Sequence, residues 1–301
     1  MSHYPGGNTA FSPLARNGYD EADTQLKTRR GQPTWDETTQ DDLIEGQRYS
    51  TWPSIEKGCR GPQPYPSWLI EDAAALDTEL GILKTGKEGD VFLVERATET
   101  RSTLLAAKRY RGREHLQFSR SQAYSEGRSA RRSRDNRAVK NNSSYGREVA
   151  ALQWASAEWS YLRRCHEAGI PVPYPVQIDG TEILMEFIAD PEIPRAAAPR
   201  LQQISRNDPR LPALWDQLAD VMEKFAALGI AHGDLSAYNL LVAGDRMVVI
   251  DVPQCVDLAG NVQGLDYLHR DCVNMCDWFT AKGLPRDAEA LFTSLLASMF
   301  A

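Results

Sequence analysis

The chain has 301 residues, of which 42% are hydrophobic and 25% charged, the balance of an ordinary globular protein long enough for one large domain or two lobes. A formal net charge of -7 excludes a general nucleic-acid coat, though not a local basic patch. No stretch approaches a membrane span, and MSHYPGGNTAFSPLARNGYD lacks the apolar core of a signal peptide, so no membrane contact and a cytoplasmic location are expected.

Residues 1–62 are polar and rich in Gly, Pro, Thr, Asp and Gln, without periodicity. They read as a disordered or loosely docked extension. The folded domain is expected over 63–301, with apolar side chains first clustering in PSWLIEDAAALDTEL (66–80). From Leu80 to Arg109 short apolar runs, GIL, VFLVE and TLLAAKRY, alternate with turn-like TGKEGD and ATETRS, which predicts strands. Gly81 and Gly86-Lys87 stand at the spacing of a Walker loop, but Glu88 replaces the hydroxyl that such a loop needs for Mg²⁺. The strand-like VFLVE follows at once, where a Walker loop would open a helix. The glycine loop is therefore expected to be a flap between strands.

Residues 109–147 are dominated by Arg and Ser and read as a solvated insertion. Its positive charge makes it the candidate contact for RNA, phosphate or an acidic partner. Helical spacing returns at EVAALQWASAEWSYLRRCHEAG (148–169) and again over 208–229, about 263–282 and 286–300. Between them lie Pro-punctuated strands ending in ILMEFI and a hairpin around Gly244-Asp245. Strands first and helices afterwards predict an α+β, bilobal architecture, with an N-lobe over about 66–187 and a C-lobe over about 188–301. The five cysteines, at 59, 165, 255, 272 and 276, show no C-x-x-C pair and no zinc spacing, and are expected to be buried, reduced thiols.

The residues that carry chemistry lie mainly in HGDLSAYNLLVAGDRMVVIDV (232–252). Asp234, Asn239 and Asp251 supply one carboxylate to orient an attacking hydroxyl and two oxygen donors for a metal on nucleotide phosphates. The hairpin between them should bring Asn239 and Asp251 to adjacent strand ends. Lys108, ending an apolar strand, is a candidate phosphate lysine and requires a carboxylate partner. Glu158 is the natural one, with Glu148 a second candidate nearer the helix start. In ILMEFIAD, Met185 would line an adenine pocket, while Glu186 and Ile188 would offer backbone contacts.

With these residues in place, the sequence resembles the RIO family of atypical serine/threonine protein kinases, its RIO1-like branch in particular. The resemblance rests on LKTGKEGDVFLVER, AAKRY, WASAEWSYLRRCHEAGIPVPYP, LMEFI, IAHGDLSAYNLLV, VVIDVPQCVDL and YLHRDCVNMCDWF, in family order over about 66–282. It implies a bilobal kinase-like fold with an antiparallel sheet lobe and a small helical lobe without activation segment. It also implies Mg²⁺ and ATP as cofactors, with Mn²⁺ an acceptable substitute. Thr85, Gly86 and Lys87 would then belong to the phosphate-binding loop and Val91 to the nucleotide site, with Lys108 as the phosphate lysine held by Glu158. Asp234 would be catalytic, Asn239 and Asp251 the metal ligands, and Asp251 also a transient phosphate acceptor in ATPase-like turnover. Gly89 stands where the family usually has Ala, which implies a looser flap.

Autophosphorylation within the Ser-rich segment 118–144 is expected, and a ribosomal or RNA partner for the basic insertion follows from the resemblance. Two alternatives stand beside it. One is a small-molecule kinase of the aminoglycoside or choline type, which shares HGDL…N but builds a larger pocket after the metal aspartate. The other is an ATP-switched binding scaffold in ribosome-related assembly.

Overall fold

A computed structural model describes residues 43–86, 89–111, 144–193 and 195–299. Six strands form one antiparallel sheet in the order β1-β2-β3-β4-β6-β5. They are β1 (Gln47–Tyr49), β2 (Leu76–Thr85), β3 (Gly89–Ala97), β4 (Ser102–Tyr110), β5 (Pro175–Asp179) and β6 (Glu182–Glu186). Helix α1 (Ser144–Glu167) lies between β4 and β5 in sequence and packs on the sheet. The remainder is α2 (Leu211–Ala227), β7 (Ile230–Ala231), the hairpin β8 (Leu240–Ala243) and β9 (Arg246–Val249), β10 (Val256–Asp257), α3 (Gly264–Ala281) and α4 (Ala288–Ser298). A sheet lobe thus precedes a helical one, as the order of patterns in the sequence requires.

Both faces of the sheet are buried at its centre, and β4 shows how. Leu104, Ala106 and Tyr110 face the large core that α1 and the helical lobe complete, while Leu105 and Ala107 face a second core. Period two along the strand puts Lys108 on the α1 side and Arg109 on the other. Arg109 accordingly bonds Glu182 and Glu79, both at 2.6 Å, on the outer face. Arg48 of β1 pairs with the same Glu182 of β6, a reach that a flat sheet in this strand order would forbid and that a curled one allows.

The outer core corrects the expected boundary at residue 63. Trp52 is 2% exposed and packs with Leu69, Val94, Leu105 and Val176, and β1 pairs with β2. Residues 43–62 are therefore part of the fold. They cover the sheet with single large side chains on irregular backbone, which leaves no periodicity to read. Residues 1–42 lie outside the described ones, as do 112–143, which hold most of the basic insertion, and Lys87 with Glu88.

Gly89 is no slackening of the flap. A Cβ there would fall 2.2 Å from the Arg109 carbonyl oxygen, so the close approach of β4 excludes a side chain. The five cysteines are buried and free, and no helix among the described residues is long and apolar enough to cross a membrane.

Candidate active site

The buried stripe of α1 runs through Ala151, Ala155, Glu158, Leu162 and Cys165, at helical spacing. A carboxylate on such a stripe must be paired, and Glu158 is 2% exposed. Its Oε1 accepts from Lys108 Nζ at 2.8 Å and its Oε2 from the Tyr110 hydroxyl. Both donors come from the α1-facing side of β4. Glu148, the other candidate partner, is exposed near the helix start.

Lys108 also donates to Asp251 Oδ1 at 2.9 Å. Burial alone would pull the Lys108 ammonium down, but Glu158, Tyr110 and Asp251 raise it well above its ordinary value. Burial pushes Asp251 up, yet Lys108, Lys84 and His232 bring it down to about 2, so its carboxylate is ionised. Asp251 sits at φ 67°, ψ 54°, one of three non-glycine residues of positive φ among those described. The left-handed region is unfavourable for a residue with a Cβ, and such conformations gather where a side chain must be aimed.

The hairpin places Asn239 beside this aspartate. Leu240 pairs with Val249, and the Ile250 N–H donates to the Asn239 carbonyl at 2.9 Å. Asn239 Nδ2 in turn donates to the Asp234 carbonyl at 2.9 Å, fixing the loop 234–239 against the strand end. Asp234 itself is exposed.

The Asp234 loop has a second anchor. Asp271 of α3 accepts from the Gly233 N–H at 2.8 Å and the Leu235 N–H at 2.9 Å, so both amides flanking Asp234 are held by one buried carboxylate. Burial raises the Asp271 pKa against the pull of His232, those two amides and Arg270. Arg270 donates to the Gly233 carbonyl and Asn274 to the Leu235 carbonyl at 3.3 Å. The sequence reading gave Asp271 no role. The signal that finds Glu158 finds it too, since it lies on the buried stripe Tyr267, Leu268, Asp271, Cys272, Met275. Tyr110, Lys84 and His232 carry no comparable signal, because their partners come from other elements.

A cavity of about 710 Å³ opens on this cluster. Gly86, Val91, Lys108, Glu158, Met185, Glu186, Ile188 and Asp251 line it, so eight of the expected site residues converge on one space. Thr85, Asp234 and Asn239 do not line it, and Lys87 lies outside the described residues. Along Met185–Ile188 the Glu186 N–H is spent on the Tyr174 carbonyl and the Ile188 carbonyl on the Ala198 N–H. A base edge at this segment must therefore use their other backbone groups.

A strand lysine clamped by a helix carboxylate, facing a left-handed aspartate that follows a hairpin, is the cleft layout of the protein-kinase class. Within that class the family is fixed by the chain's own match: residues 90–291, more than half of its length, fit the RIO domain, and the chain belongs to the RIO family. It is 29% identical over 224 residues to the RIO-type serine/threonine-protein kinase Rio1 of Haloferax volcanii, covering 74% of this chain and 70% of that protein. It is 30% identical over 224 residues to the serine/threonine-protein kinase RIO3 of Caenorhabditis elegans, covering 72% of this chain but 39% of that protein. The solved Rio2 kinase–ADP/Mg²⁺–phosphoaspartate complex of Chaetomium thermophilum aligns with a TM-score of 0.48 at 18% identity, over 74% of this chain and 66% of that one.

Proposed function

We propose that this chain is a RIO1-like, cytoplasmic kinase that binds ATP with Mg²⁺ in the cleft and transfers the terminal phosphoryl group to serine, first on its own chain. The observation that carries the reading is the single ammonium of Lys108 bonded at once to Glu158 and Asp251 at the cavity wall.

Lys108 binds the α- and β-phosphates, and Glu158, itself braced by Tyr110, keeps that ammonium in place when Asp251 turns to other partners. The ionised Asp251 carboxylate and the Asn239 amide oxygen are hard oxygen donors of the kind Mg²⁺ prefers. These two residues would hold the ion together with the nucleotide's own phosphates. Bound there, Mg²⁺ supplies charge neutralisation on the phosphates. Asp234 orients the incoming hydroxyl, and Asp271 fixes the backbone on both sides of it. The cavity's apolar wall, with Met185 and Ile188, takes the base. The RIO match favours this protein-kinase reading over a small-molecule kinase.

Incubation of the purified chain with γ-labelled ATP tests it. Stable label on serine, expected within 118–144, supports the kinase reading, and hydroxylamine-labile label on Asp251 with ADP release supports ATPase turnover. Neither label nor ADP release sinks both. An RNA or ribosomal partner for the basic insertion is a further part of this proposal, checked by salt-dependent RNA binding with and without residues 112–143.

A further inference from the structure

Among the ionic residues that line the cavity, Lys84, Asp190 and Arg200 have no part in the chemistry above, and of these Lys84 stands at Asp251. Lys84 of β2 lines the cavity and holds Nζ 3.8 Å from Asp251 Oδ2, on the carboxylate oxygen that Lys108 leaves open. The two lysines are not equivalent. The Lys108 side chain is 12% exposed and shared with Glu158, whereas that of Lys84 is 42% exposed, with no other ion pair among the described residues.

The backbone delivers Lys84 by a device that strand alternation would not. The β2–β3 register shifts between Ile82, opposite Phe92, and Lys84, opposite Val91. Across this bulge Leu83 and Lys84 both line the cavity, although neighbours on a regular strand face opposite ways. Bulges beside a site commonly re-aim a side chain, and here the one re-aimed is a cation just before the Thr85-Gly86 turn.

We propose that Lys84 is a second nucleotide-phosphate ligand, a cation parked on Asp251 and passed to the terminal phosphates of a nucleoside di- or triphosphate. This rests on the ATP reading of the cleft. Charge balance carries it: Lys84, Lys108, Glu158 and Asp251 neutralise one another, and a polyphosphate then adds several negative charges. Lys108 is committed to a buried carboxylate that would be left uncompensated if it moved. Lys84 is half-solvated on a flexible stem, and its leaving uncovers no fully buried charge. It also stands at the ionic end of the cavity, with Lys108 and Asp251, and so reaches the phosphates beyond the first more readily than the base.

Titration of the full chain with ATP, ADP and AMP by calorimetry, in EDTA and again with Mg²⁺, tests the assignment. Lys84→Met should weaken ADP and ATP about tenfold, as for one partly solvated charge-assisted contact, and leave AMP within about twofold. Lys84→Arg should recover most of the loss, and Lys84→Gln should repeat that of Met. An unchanged ATP-to-AMP affinity ratio, or equal losses for all three nucleotides, overturns it. If the unsubstituted chain binds no ATP, the cleft reading falls and this inference with it. If it binds ATP and the ratio survives Lys84→Met, only the Lys84 assignment falls.

Discussion

Two ionic clusters lie on opposite faces of the same sheet, and each pairs buried carboxylates with strand cations, arginines on one face and lysines on the other. On the outer face Arg96, 0% exposed, donates to Asp77 at 2.7 and 2.9 Å and to Gln177 at 3.2 Å, with Glu182, Arg48 and Arg109 extending the chain of pairs. On the inner face Lys108, Glu158, Asp251 and Lys84 form the other. Burial and pairing do not distinguish them. What does is that the inner cluster borders a cavity and has an aspartate in the left-handed region. The outer cluster joins all six strands and includes no residue of the cavity wall. A buried charge therefore marks function only where it meets space that a ligand could fill.

Substitutions can break this contrast, and the largest effect belongs to the inner face. Asp234→Ala should lower phosphoryl transfer about 10³-fold while ATP affinity stays within about twofold, measured by label incorporation beside calorimetry. Retained label would remove the role given to Asp234. On the outer face Arg96→Met leaves buried Asp77 with only the more distant Arg48, 3.9 Å away, and should lower the unfolding free energy by about 3 kcal/mol in urea titrations. The folded fraction should still bind ATP with unchanged affinity. If binding is lost in proportion, the two clusters are coupled and the contrast fails.

Asp271→Asn sharpens the division between touching and positioning. It turns an acceptor of two amides into a mixed donor and should cost about 1–3 kcal/mol of stability. Turnover should fall at least about tenfold with nucleotide affinity preserved, since only the Asp234 backbone is released. Equal losses in turnover and affinity would mean that the change spreads beyond that loop.

The smallest effect is a pH dependence of the outer cluster. Burial pushes the Glu182 carboxyl up, but Arg48 and Arg109 bring it below its ordinary range. A lowered folded pKa stabilises above the unfolded value, about 4.3, and that contribution is lost as pH falls through the folded value. Glu182→Gln should therefore flatten the acid limb of urea midpoints as pH falls below about 5, since the variant has no carboxylate to protonate there. An unaltered limb would show that Glu182 does not report the cluster.

Glu158 and Asp271 show how far the sequence reaches. Each is a carboxylate on an otherwise apolar helical stripe, and local periodicity alone marks it as buried and in need of a partner. The succession of strands and then helices, the Gly244 hairpin that sets Asn239 by Ile250, and the position of Lys108 on a cleft-facing strand follow from patterns of a few residues. Those patterns are short-range, so the linear chain contains them. Trp52 on the outer face, the clash that keeps Gly89 bare, the Tyr110 hydroxyl on Glu158 and the approach of Lys84 to Asp251 do not. Each depends on where two segments far apart in sequence come together, and in Lys84's case on a one-residue register shift. Packing decides such distances to within an ångström, and residue type and spacing carry no record of them.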